Sequence, residues 1–192
     1  MDEEACEPNE ERPRSFWDKV QATLADGRIE IINGEIAALY VTSAIKHLTY
    51  MGLISKDPIT VVLDTMGGSV YTGLLVYNTI RDLVNKGIEV EVQVRGEAAS
   101  VGAIILQAGS KRTAYEFSRI LIHECSSIIW GKATESKEQV EELQAVNNML
   151  RDILVRKTGR SAEEIDRKQK KKDAWFSARE ALDYGLIDEV IE

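Results

Sequence analysis

Three residues far apart in this chain are of the types that build a hydrolytic proton relay. Ser100 lies in Gly96-Glu97-Ala98-Ala99-Ser100-Val101-Gly102-Ala103, His123 ends the apolar run Ile120-Leu121-Ile122-His123, and Asp173 stands four residues before Ser177. A serine hydroxyl is a weak nucleophile until an adjacent base takes its proton, and the base needs an acid to orient its ring. The chain has only 2 histidines, so few residues can supply that base. Small residues around Ser100 let a substrate backbone approach closely. With Ser100 at a helix start, free N–H groups, Val101's among them, favour an anion formed at the serine. Taken singly, each residue has a plainer reading: Ser100 as a helix cap, His123 as a hydrogen-bonded structural histidine, Asp173 as a solvated loop carboxylate.

Met66-Gly67-Gly68-Ser69 follows an apolar stretch and is expected to open a helix. Paired glycines adopt backbone conformations that other residues resist, and they expose N–H donors. An oxyanion hole needs such donors, and losing one commonly costs about 10²–10³ in rate. The plainer reading is a tight turn. No Gly-x-x-x-x-Gly-Lys-Ser/Thr run occurs, which disfavours a P-loop. Cys125 is either a second nucleophile or, more commonly for its type, a small buried thiol. His47 falls on the polar side of a helical pattern and is expected to be exposed.

Positioning such residues takes alternating strands and helices. Phe16, Trp17 and Val20 form a short amphipathic patch. Arg28-Ile29-Glu30-Ile31-Ile32 reads as a strand, with Asn33-Gly34 as a turn. Tyr40, Val41, Ala44, Ile45, Leu48 and Met51 follow helical spacing, with Gly52 as the stop. Ile59-Thr60-Val61-Val62-Leu63 has the β-branched character of a buried parallel strand. Leu74, Tyr77, Ile80 and Val84 share one helical face, 88–94 alternates as a strand, 99–108 reads as a small-residue helix, and 118–123 as a strand. A long charged helix over 134–157 carries the stripe Val140, Leu143, Val146, Leu150 and Leu154. A short helix starts at Ala162, and Ser177 with Glu180 forms a capping box for another that Gly185 closes. A last strand spans 186–190. The alternation predicts an α/β fold with a largely parallel sheet.

With 192 residues, 44% of them hydrophobic, the chain fits one domain of about 100–200 residues. Residues 1–14 form an acidic leader expected to be disordered, and 15–192 a single domain. The net charge of −8 disfavours a nucleic-acid partner. Cys6 and Cys125 have neither metal nor redox spacing, which suits a reducing cytoplasm. No apolar stretch approaches the ~20 residues of a membrane span, and the start has no signal-peptide core. A cytoplasmic protein without membrane, metal or cofactor is expected.

Read together, these stretches resemble the proteolytic subunit of the Clp protease (ClpP), from about Arg28 onward. Gly67-Gly68-Ser69-Val70 is similar to the family's glycine turn, 96–103 to its nucleophile segment and 118–123 to its histidine segment. Gly131-Lys132-Ala133-Thr134 resembles the approach to its handle helix. Lys172-Asp173-Ala174-Trp175-Phe176-Ser177-Ala178 and Tyr184-Gly185-Leu186-Ile187-Asp188 resemble its C-terminal signature. The resemblance implies a ClpP/crotonase-like spiral of βαβ units with a protruding handle at 134–157. It implies Ser100 as nucleophile, His123 as base and Asp173 as orienting acid of a serine endopeptidase. It implies oxyanion donors at the Gly68 and Val101 N–H groups. Partners follow the same way: polypeptide substrates, a homo-oligomer of seven-membered rings stacked in pairs around a closed chamber, and an AAA+ unfoldase that would bring the only use of ATP.

Some residues depart from the family pattern. Met66 stands where the family has proline, and Glu124-Cys125 where it tends to have Gln-Pro. Thr60 and Val62 replace tyrosines of its ATPase-docking groove, which puts unfoldase docking in doubt. A divergent relative, such as a virus-encoded ClpP-like maturation protease, would fit these losses. Two other readings share the fold: a crotonase-type acyl-CoA hydratase or isomerase using Glu97 or Glu124 as acid/base, and a ring scaffold with a lapsed site.

Overall fold

The β-branched stretch beginning at Ile59 becomes an interior strand, second from one edge, of a sheet of seven strands among the described residues. The computed structural model describes residues 15–126, 131–169 and 173–192. The expected leader at 1–14, with Cys6, and the end of the lysine cluster at 170–172 lie outside the described residues. Strand β2 (Ile59–Gly68) pairs in parallel with β1 (Ile29–Ile36) and β3 (Val90–Ala99). Val61, Val62 and Leu63 are all buried, as expected when helices cover both faces of a parallel sheet.

Strand β3 serves two partners. Its first half, Glu91 to Val94, pairs with β4 (Lys111–Tyr115), which pairs with β7 (Glu189–Ile191). Its second half, Glu97 to Ala99, pairs with β5 (Arg119–Ile122). Strand β6 (Ala174–Ser177) then adds to β5, the one antiparallel pairing among the described strands. The predicted α/β class and largely parallel sheet are what the structure has.

The helices supply the layers around this sheet. Helix α1 (Phe16–Asp26) buries none of its residues. Helix α2 (Ala38–Ile54) buries Val41, Ala44, Leu48 and Met51 of the stripe read from sequence, whereas Ile45 is half-buried and Tyr40 exposed. Helix α3 (Val70–Asn85) buries Gly73, Val76, Ile80 and Leu83, and α4 (Val101–Leu106) is buried throughout. Helix α5 (Ala133–Thr158) is the long charged one. Its stripe divides: Val146, Leu150 and Leu154 are buried, whereas Val140 is 40% exposed. Helices α6 (Ala162–Gln169) and α7 (Ala178–Tyr184) follow, the latter with the expected Ser177–Glu180 capping box and a left-handed stop at Gly185.

Several local expectations change, among them the last strand, which spans Glu189–Ile191 rather than 186–190. Gly52 does not stop α2, which runs on to Ile54; a Cβ there would lie 2.2 Å from Leu83 Cδ2, so this glycine permits close helix packing. Asn33-Gly34 is not a turn but a shift of register inside β1. Ala99 still belongs to β3, so the small-residue helix is confined to Val101–Leu106. Strands β4 and β6 carry no clear signal, because Lys-Arg-Thr-Ala-Tyr reads as polar and four residues are too few for a period.

The β4 branch is held by one buried guanidinium. Arg112, 8% exposed, donates from Nη1 to Gln107 Oε1 at 2.7 Å and the Gly185 carbonyl at 2.8 Å, and from Nε to Asp188 Oδ2 at 3.0 Å. Partial burial pushes the Asp188 carboxyl up, but the hydrogen bonds and charge of Arg112 outweigh this and hold it below the usual aspartate value.

Candidate active site

Strand β5 gathers the three residues singled out in the sequence. Its parallel register sets Ala99 beside Leu121, and the Ser100 N–H donates to the Leu121 carbonyl at 3.1 Å. Ser100 leaves β3 just where His123 leaves β5. On the other side, the antiparallel register sets Ala174 beside Ile122, so Asp173, preceding β6, arrives at the same end. Three neighbouring strands thus deliver all three side chains to one edge.

The Ser100 Oγ lies 2.7 Å from His123 Nε2. With that nitrogen unprotonated, the hydroxyl donates to it. Ser100 has φ 57° and ψ −124°, a conformation rare for a residue with a side chain. Holding it costs about 1–3 kcal/mol, and such strain clusters at functional sites. Its side chain makes no capping bond to α4, so the helix-cap reading does not describe its role. The strand–turn–helix bend aims the hydroxyl at the imidazole instead.

Asp173 is less tightly placed. Its Oδ1 is 3.6 Å from His123 Nδ1, and its side chain is 64% exposed against 28% for His123. That is ion-pair range, beyond hydrogen-bond length. The His123 segment is braced from behind: Gln169 Nε2 donates to the His123 carbonyl at 3.3 Å, and the Cys125 N–H donates to Asn147 Oδ1 at 2.8 Å. Sequence reasoning missed Gln169 and Asn147, since polar residues on charged helices give no signal of an inward contact.

The glycine pair is not the opening of a helix. Gly67 and Gly68 still belong to β2 and pair with Glu35 and Ile36; α3 begins only at Val70, behind the cap Ser69. Their φ angles are 99° and 150°, and a Cβ on Gly67 would stand 2.7 Å from Ser100 Cβ and 2.8 Å from the Ala99 carbonyl. No residue with a side chain fits there, so the backbone at Gly67 runs directly against the serine, while Gly68 packs against the Ile36 backbone on β1. Val101, the first residue of α4, is 2% exposed on the other side of the same turn.

The remaining chemical candidates fall away. Burial raises the Cys125 thiol above its ordinary value, which disfavours the thiolate a nucleophile needs. Glu97 stands opposite Arg119 on the β3–β5 ladder, and Glu124 is exposed. His47 is exposed, as expected, and its Nδ1 lies 3.1 Å from Glu30 Oε2, away from Ser100. No helix of the described residues is long and apolar enough to cross a membrane.

Residues 11–192 match the family described as Clp protease. The chain is 36% identical over 177 residues to the ATP-dependent Clp protease proteolytic subunit 2 of Chlamydia trachomatis serovar D, covering 90% of this chain and 84% of that protein. It is 32% identical over 180 residues to the proteolytic subunit 3 of Rhodococcus jostii, covering 92% and 87%. With the proteolytic subunit 1 of Streptomyces avermitilis it shares 31% over 190 residues, covering 97% and 86%. These matches do not favour a crotonase, and the mostly parallel sheet with its helices is consistent with the ClpP fold. A serine held against a histidine beside a glycine strand, in a chain matched almost end to end, places this protein in the Clp protease family as a serine-type peptidase.

Proposed function

We propose that Ser100 is the nucleophile, His123 the general base and Asp173 the orienting acid. The 2.7 Å contact between Ser100 Oγ and His123 Nε2 carries this reading. Ser100 Oγ attacks the peptide carbonyl while His123 takes its proton. The resulting oxyanion rests against the Gly68 and Val101 N–H groups. His123 then protonates the leaving amine, and water, deprotonated by the same imidazole, releases the acyl group. Asp173 keeps the Nδ1 proton facing itself and steadies the imidazolium. None of these steps calls for a cofactor.

The substrates are peptides and unfolded polypeptides, cut inside a homo-oligomer. Exposed apolar side chains support the assembly: Leu39 is 82% exposed, Leu53 77% and Leu75 53%, apolar surface that a neighbouring subunit would remove from water. We take the rings to be seven-membered and stacked in pairs, with the exposed half of α5 interlocking them. The relatives are named as ATP-dependent subunits, which supports an AAA+ unfoldase as the ATP-using partner. Thr60 and Val62 leave its docking mode different from one built on tyrosines.

The test combines fluorophosphonate labelling, casein and fluorogenic-peptide cleavage, and particle mass in solution. The parent labels at Ser100 and cleaves. Ser100→Ala does neither at an unchanged particle mass. Cleavage that persists in the Ser100→Ala protein refutes the assignment.

A further inference from the structure

We propose that the cavity beside Ser100 restricts cleavage to bonds that follow a small side chain, alanine in size. The inference rests on the catalytic reading of Ser100 and His123 and adds a substrate class to it. The cavity adjoins both residues and is walled by Val101 and Ile104 of α4, Leu150 and Leu154 of α5, Cys125 and Gln169. The side chain of the residue whose carbonyl Ser100 attacks stands one bond from that carbonyl, and this is the cavity that adjoins Ser100 and His123. The walls are mainly apolar, so the space suits a hydrocarbon group.

Its size sets the choice. The free volume is about 10 Å³, room for about one water-sized group. A methyl group is of that size; the branched end of leucine or the thioether of methionine is not. The walls are poorly placed to retreat, because Ile104 is 4% exposed, Leu150 6% and Leu154 0%, and all three belong to the main core. Close-packed interiors resist added methylenes.

Among the described residues, Gln169 stands between this space and a larger one. A second, polar cavity of about 310 Å³, bordered by Glu124, Asn147, Arg151 and Asp166, lies beyond it, and Gln169 lines both. The same amide donates to the His123 carbonyl. A long side chain reaching through must displace Gln169 and so release the backbone of the base. Bulky residues are therefore penalised twice, in fit and in the placement of His123.

The test compares kcat/KM of the full chain on peptides identical except for alanine, leucine, methionine or phenylalanine before the cleaved bond, with fluorophosphonate labelling of Ser100 in parallel. Alanine is expected to exceed leucine and methionine by about 10- to 200-fold. Leu150→Ala and Gln169→Ala should each lower that ratio about tenfold or more, a change that a general loss of activity does not produce. Gln169→Ala, at a half-buried position, gives the same readout where Leu150→Ala fails to fold. Equal rates for leucine and alanine in a parent that labels at Ser100 overturn the size filter and leave the catalytic reading standing. A parent that neither labels nor cleaves any peptide overturns both.

Discussion

Strand β3 ends in two branches that treat charge in opposite ways. On the β4–β7 branch Arg112 is buried, and its contacts to Gln107, Gly185 and Asp188 lie between 2.5 and 3.0 Å. On the β5–β6 branch the acid, Asp173, is 64% exposed and stands 3.6 Å from its histidine. The first arrangement is scaffold: a charge taken from water must be fully bonded, or it costs several kcal/mol. The second leaves the acid solvated and its contact open to adjustment, while the parallel β3–β5 pairing and the Gln169 bond to the His123 carbonyl accompany a serine–histidine contact of 2.7 Å. Tight ionic geometry here marks the part that supports the fold, and loose ionic geometry the part proposed to carry chemistry.

The largest effect expected from that contrast is at Ser100. Ser100→Ala should lower kcat/KM by at least about 10⁴-fold without lowering the thermal midpoint, since the hydroxyl caps nothing. A large loss of stability in that variant would place Ser100 with the scaffold. Asp173→Asn comes next, with kcat reduced about 10²-fold, short of the ~10⁴-fold that a buried acid commands. Steady-state kinetics decide this, and a 10⁴-fold loss would mean that the acid closes up during turnover.

On the other branch the effects are on stability. Arg112→Met should cost about 3 kcal/mol in denaturant unfolding, because it leaves the Gln107 amide oxygen buried without its donor. The smallest effect is acid sensitivity. The native Asp188 carboxyl is held below its ordinary value, so the native state binds fewer protons there than the unfolded chain. Its stabilisation is complete above the ordinary aspartate pKa and lost as pH falls through the depressed native value. Asp188→Asn should flatten the stability-against-pH curve in that acid window and leave its neutral part parallel to the parent's.

Much of this was legible in the residues. The helical stripes of α2 and the second half of α5, the central strands and the last capping box all appear where periodicity and capping place them. The glycine pair was misread because a local turn and a strand end passing under a serine look alike in one dimension. Gly52 looked like a stop for a similar reason: its cause, the Leu83 side chain, comes from another helix. Strand β6 stayed invisible because it is a strand only by virtue of pairing with β5.

Residue types and spacing by themselves determined that this chain folds as α/β and has a hydroxyl, an imidazole and a carboxylate of the right kinds. Local physics suffices for that, since propensity, amphipathic period and caps act over a few residues. Which three of many such groups meet was decided only by the pairing of β5 with β3 and β6, because register between strands depends on side chains buried from distant parts of the chain. The strained backbone at Ser100 and the nearly filled cavity beside it belong to the same level: neither exists until the core has closed around them.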